Sequence, residues 1–177
     1  MSDLVKNIIR FAAFILIQVY VLNRIPPVHR FIVPYLYFLY ILWLPFKTTP
    51  INLMLIAFVF GISLDSFTNT PGLHAAACVL IAFIRPYLIT IILPQERKEL
   101  YYTNPSVKSL GGVAPYALYI SVLTFIHHLY LTFLEWLSTG NWWYFLGKVL
   151  ATTGVSLMLI LIAEILVYRK DQMRTNA

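Results

Sequence analysis

Residues 51–93 read INLMLIAFVFGISLDSFTNTPGLHAAACVLIAFIRPYLITIIL. Two apolar runs, 51–67 and 73–93, flank a short polar turn. At 1.5 Å per residue as helices they extend about 25 and about 31 Å, close to the ~30 Å hydrocarbon layer of a bilayer. Hydrocarbon offers the backbone no hydrogen-bond partners, so only helices or closed barrels cross it. Both runs are continuously apolar rather than alternating, and that pattern predicts helices.

Working outward, similar runs occupy 8–22, 31–46, 113–137 and 143–168. Breakers separate the six: Pro26-Pro27, Pro50, Pro71-Gly72, Pro94 and Gly111-Gly112. The expectation is an all-α integral membrane protein, a six-transmembrane-helix bundle forming a single domain over 1–177. The runs at 31–46 and 51–67 are short, which leaves open little tilt or packing within the bundle. No internal repeat is visible.

Composition agrees with lipid as the solvent. The chain of 177 residues is 60% hydrophobic and 11% charged, against about 25% charged in soluble domains. The net charge of +6 reads as basic residues in cytoplasmic loops, not as a nucleic-acid footprint. The single cysteine, Cys78, excludes an intrachain disulfide and sits in an apolar run as a small packing residue. No small-residue cleavage pattern follows the first run, which is therefore expected to be a retained span.

Basic residues also set the orientation. With the amino terminus cytoplasmic, nine lie on the inner side: Lys6, Arg10, Lys47, Arg97, Lys98, Lys108, Arg169, Lys170 and Arg174. Three lie outside: Arg24, Arg30 and Lys148. Both termini are thus expected in the cytoplasm. Trp136, Trp142, Trp143 and Tyr144 flank an outer turn, at headgroup level.

Ionisable groups inside spans are costly and each needs an account. Asp65 falls near the outer end of the third run and Arg85 in the inner half of the fourth, roughly 10 Å apart in depth. One reading is a charge pair or a partner contact. The other has Asp65 reaching outer water while Arg85 snorkels inward. Pro86 follows Arg85 and is positioned to kink the span. Gly61 permits close helix approach. Thr70 is expected to cap the fourth span, with Pro71 at its first helical position. A good helical hairpin explains Thr70, Pro71 and Gly72 but not Asp65.

His127 and His128 are adjacent, so on a helix they point about 100° apart and do not converge on an ion with His74. No metal or cofactor is expected. Glu164 is read as an interfacial partner of Arg169. G-x-S-x-G, H-E-x-x-H, Walker and G-x-G-x-x-G patterns are absent, so no catalytic residue is expected. The polar segment 94–112 reads as a solvated connector or a surface for headgroups or a cytoplasmic partner.

The chain resembles the rod shape-determining protein MreD family. The likeness covers the six runs, the length and the basic tail, and is sharpest in GISLDSFTNTPGLHAAACVLIAFIRP. Gly61, Asp65, Gly72, Leu73 and His74 fall on the family's glycine, aspartate and Gly-Leu-His positions. The resemblance implies a non-enzymatic component of the bacterial elongation machinery in the cytoplasmic membrane. Its implied partners are MreC and, directly or indirectly, MreB, RodA and a class B penicillin-binding protein. The candidate sites, as partner or bundle contacts, are Gly61, Asp65, Gly72 and His74, which fall on those family positions, and Arg85, a charge within a span. The family's fold is similar to the substrate-binding subunits of energy-coupling-factor vitamin transporters, which supplies an alternative: a small-molecule binding subunit. Such subunits carry an A-x-x-x-A patch in the first span. Here Ala12 and Ala13 precede Leu16 and Ile17, and the patch is missing.

Nine basic residues against three predict the outcome of reporter fusions. A periplasm-active reporter after Ala177 should be silent, and one near Gly140 should be active. The reverse pattern would overturn the span count.

Overall fold

The computed structural model describes residues 3–25, 32–93, 104–137 and 141–175. Its helices are α1 (Asp3–Leu16), the single turn α2 (Leu39–Leu42), α3 (Pro50–Thr68), α4 (Leu73–Ile92), α5 (Val113–Trp136) and α6 (Trp142–Thr175). Past Leu16, α1 widens into a π turn, Ile17–Val21, and tightens into a 3-10 turn, Leu22–Arg24. Among the described residues there are no strands. Five helices are long and apolar enough to cross a membrane: Val5–Arg24, Pro50–Thr68, Leu73–Ile92, Val113–Trp136 and Trp142–Leu166.

α3, α4, α5 and α6 pack as successive neighbours. Two polar contacts tie α5 to an antiparallel α6. Lys148 pairs with Glu135 near one end, and the Tyr116 hydroxyl donates to Glu164 near the other.

The run at 31–46 departs from expectation. Phe31 lies outside the described residues. Residues 32–36 have no regular structure, a turn follows, and α2 supplies one helical turn before the chain breaks again toward Pro45. Pro34 biases Val33 toward an extended backbone, and Pro45 lies just past the single turn. This strap is apolar because protein surrounds it. Tyr37, Phe38, Leu39, Ile41 and Leu42 are all 0% exposed. By contrast Ile51, Leu55, Phe58 and Val59 on α3 are exposed, as lipid-facing side chains would be.

A broken backbone buried away from water is tolerated only if protein supplies its hydrogen bonds. Three side chains do so. Gln18, on the π turn, accepts from the backbone N–H groups of Leu36 (2.9 Å) and Tyr37 (3.3 Å). Its amide donates to the Pro34 carbonyl (3.0 Å) and to Asn23 Oδ1 (2.8 Å). Tyr119 on α5 donates to the Leu42 carbonyl (2.8 Å). Arg85 on α4 donates through Nε to the Tyr119 hydroxyl (2.7 Å) and through its other end to the Leu44 carbonyl.

The strap therefore runs beside α4. It starts with the Tyr35 ring edge-on to His74 at α4's first turn and ends with Leu44 on Arg85. The eleven-residue step from His74 to Arg85 is about 16 Å along the helix. Aromatic contacts fill the space between. Phe38 stacks on His127 with centroids 4.4 Å apart, and Tyr40 stacks on Phe60 at 4.8 Å. At the Arg85 end, Trp43 Nε1 donates to Glu164 (2.8 Å).

Gln18 is 1% exposed and serves four polar atoms. Gln18→Leu keeps its bulk and orphans strap groups, each costing about 1–3 kcal/mol. Thermal unfolding in detergent should show a clear drop in melting temperature for Gln18→Leu and a smaller one for Asn23→Ala. An unchanged melt for Gln18→Leu would mean the strap does not depend on it.

Candidate functional site

The α3–α4 turn gathers the residues of the distinctive motif. α3 ends when Asn69 adopts a left-handed backbone (φ 54°), where asparagine is tolerated better than most residues. The N–H groups of Asn69 and Thr70 then both turn back to the Asp65 carbonyl. Gly72, at φ 82°, makes the second left-handed turn and stands at the N-cap of α4.

Asp65 is only 3% exposed, yet its carboxylate is fully used. Oδ1 accepts from the His74 backbone N–H (3.0 Å), the Thr70 hydroxyl (3.0 Å) and His74 Nδ1 (2.7 Å). Oδ2 accepts from the Ala75 N–H (3.1 Å). The first N–H groups of a helix have no partner within it. Asp65 satisfies two of them from the neighbouring helix and puts a negative charge at the positive end of the α4 dipole. This is an N-cap supplied across the hairpin.

Gly61 lies one turn before Asp65 on the same face of α3. A Cβ there would stand 2.3 Å from the Ala75 Cα and 2.7 Å from its backbone nitrogen. The glycine lets the backbones touch, and that approach brings Asp65 within reach of α4's first turn. Gly61, Asp65, Gly72 and His74 thus act as one clasp.

Several expectations change. α4 starts at Leu73, not at Pro71, and Thr70 does not cap it. The Thr70 hydroxyl donates to Asp65, the residue that does the capping. Asp65 and Arg85 do not pair. Nor does either follow the water-facing reading, since Arg85 is 2% exposed and holds Tyr119 and the strap. α4 continues through Pro86 to Ile92. Glu164 takes Trp43 and Tyr116, and its expected partner Arg169 lies outside the described side chains.

His127 and His128 are buried side by side. His127 Nε2 lies 2.9 Å from the Tyr37 hydroxyl, and the two Nδ1 atoms are 3.3 Å apart. Cys78 is fully buried. Of the 94–112 segment, 94–103 lies outside the described residues. In the remainder Ser106 and Ser109 cap each other, and Leu110 is buried.

Sequence reading missed Gln18, Tyr37, Tyr119 and the Glu135–Lys148 pair. A glutamine in the middle of an apolar run was the available signal for Gln18. Nothing local marks Tyr119 among twelve tyrosines.

No family model, curated protein or solved structure matches the chain. The clasp makes its own prediction. Asp65→Leu is more apolar and on span hydropathy alone should be harmless. With the backbone N–H groups of His74 and Ala75 left without an acceptor, it should instead lower membrane abundance and the melting temperature, at about 1–3 kcal/mol per orphaned group. Asp65→Asn keeps acceptor oxygen and should fall between Leu and the parent. Gly61→Val should match Leu, because Ala75 backbone stands in the way. Parental abundance and melting for both Leu and Val variants would refute the clasp.

Proposed function

We propose that this chain is a non-enzymatic membrane scaffold of the bacterial elongation complex, of the MreD type, binding MreC and supporting lateral peptidoglycan synthesis and cell shape. RodA, a class B penicillin-binding protein and MreB join it directly or indirectly. The observation that carries the reading is the coincidence of the family-like residues with one structural unit. Gly61, Asp65, Gly72 and His74 all serve the α3–α4 clasp. A motif built this way presents a rigid hairpin end.

In this reading the strap completes a sixth crossing between α1 and α3. Both termini then lie in the cytoplasm, as the basic residues predict, and the clasp faces outward, where the body of MreC would lie. Trp142 and Trp143, both well exposed, stand at that outer level. Association in lipid relies on close packing and interhelical polar contacts. Small residues at Gly72, Ala75 and Ala76 line a shallow groove bounded by Phe58 and Phe83.

The second reading, a small-molecule binding subunit of a transporter, draws on an outward cavity beside His74. Purification in mild detergent separates the two. Co-isolation of MreC and RodA supports the scaffold, and an ATPase module supports the transporter. Depletion should round rod-shaped cells. A vitamin-uptake defect at normal shape would sink the scaffold reading.

A further inference from the structure

A small pocket lies at the end of the bundle where α3 starts and α4 stops. Phe46 and Thr48, between the strap and α3, line it with Leu53 on α3 and with Arg85, Ile89 and Thr90 on α4. Its volume is about 90 Å³. At ~30 Å³ per water in the liquid, that is room for about three waters or one small oxyanion. It is well below the volumes of organic-ligand sites, which span about 300–1,000 Å³.

The charge in this pocket is of one sign. Arg85 is 2% exposed, and both of its hydrogen bonds go to neutral oxygens: Nε to the Tyr119 hydroxyl and Nη2 to the Leu44 carbonyl. Nη1 makes no hydrogen bond among the described residues, and it is not sealed off either. It is the end of the guanidinium left over for the pocket that Arg85 lines. Among the described residues no carboxylate lines the pocket or bonds the guanidinium. A full positive charge is therefore buried without a counter-ion, a costly state that a bound anion relieves. Thr48 adds a half-buried hydroxyl that makes no hydrogen bond among the described residues. The Thr90 hydroxyl already donates to the Pro86 carbonyl. α3 begins beside the pocket and contributes the positive end of its dipole. An unused guanidinium nitrogen with a hydroxyl beside it suits an oxyanion, and phosphate above all.

We propose that this pocket binds one phosphate group. Arg85 Nη1 and the Thr48 hydroxyl donate to its oxygens, and the guanidinium is its counter-ion. Ile89 stands three residues before the end of α4 at Ile92, about 4.5 Å along the axis. The pocket thus opens near the level of lipid headgroups, since a helix the length of α4 just spans the hydrocarbon layer. The phosphate comes either from a phospholipid headgroup or from a free phosphate. The inference stands on Arg85 and the pocket and does not depend on the scaffold reading.

The test uses the full chain with ¹⁵N-labelled arginine in a maltoside detergent, which carries no phosphate. The Arg85 Nε–H, buried and bonded to Tyr119, exchanges slowly with water and is thereby separated from exposed arginines. Sodium phosphate and dioctanoylphosphatidylglycerol are titrated in turn, with dioctanoylglycerol as the control that lacks phosphate. The expected result is a saturable shift of the Arg85 resonance with a phosphate compound, at least tenfold weaker with dioctanoylglycerol. Ile89→Glu puts a carboxylate one turn from Arg85 on α4, a built-in counter-ion. It should weaken the phosphate compound at least tenfold while the slow Nε–H signal persists, and the neutral Ile89→Gln should stay within about twofold of the parent. Thr48→Val should weaken binding severalfold, and it decides the matter where Ile89→Glu loses the Nε–H signal. No shift with either phosphate compound, or an equal response to dioctanoylglycerol, would overturn the site. Parental affinity in a folded Ile89→Glu, or in Thr48→Val, would do the same. Saturation by the lipid alone identifies a headgroup, and saturation by sodium phosphate at equal or lower concentration identifies a free phosphate.

Discussion

A backbone that leaves the helix where protein encloses it has to find its hydrogen-bond partners in protein, because no water reaches it. Residues 32–46 meet that demand through Gln18, Tyr119 and Arg85, and much else in the bundle follows from it. The three side chains come from α1, α4 and α5, so satisfying the strap also ties those helices around it. The π turn at Ile17–Val21 belongs to the same solution. Such turns re-aim a side chain within a helix, and here the side chain concerned is Gln18.

Arg85 shows how such a demand makes a buried charge tolerable. An arginine within a span is expensive when unpaired. Here the guanidinium has no carboxylate to neutralise it among its hydrogen-bond partners. It is bound instead by a hydroxyl and a carbonyl that themselves need donors. Charge-assisted hydrogen bonds of this type are stronger than neutral ones, so one side chain satisfies the strap's exit and anchors it to α4.

The α3–α4 clasp applies the same rule at the other end of the bundle. Helix starts carry unpaired N–H groups, and a buried start must be capped by something. Asp65 reaches across from α3 because Gly61 lets the helices close to backbone contact. Neither residue works without the other: the carboxylate needs the short distance, and the short distance needs the absent Cβ. The strap begins against this clasp through Tyr35 and His74, so the two polar systems share a wall, and the cavity lies where they meet.

The amino-acid order by itself determined that the chain is helical and lipid-embedded, and it located four of the described helices to within a residue or two at most described ends. Continuous apolar runs of that length have no other solution in a bilayer. Residue by residue it marked Gly61 for close helix approach and left Asp65 without an account; only the family resemblance set Gly61, Asp65 and His74 on one motif. Hydropathy could not tell the strap from a sixth helix. A segment surrounded by protein and one surrounded by lipid exclude water equally, and both select apolar residues. The partners of Asp65, Arg85 and Glu164 were likewise beyond reach of spacing rules. Those rules see neighbours three or four residues apart, whereas Asp65 meets a residue nine positions away, Arg85 one 41 positions away and Glu164 one 121 positions away. Only the tertiary structure decides which buried polar groups meet, because only packing brings such distant donors and acceptors within 3 Å of each other.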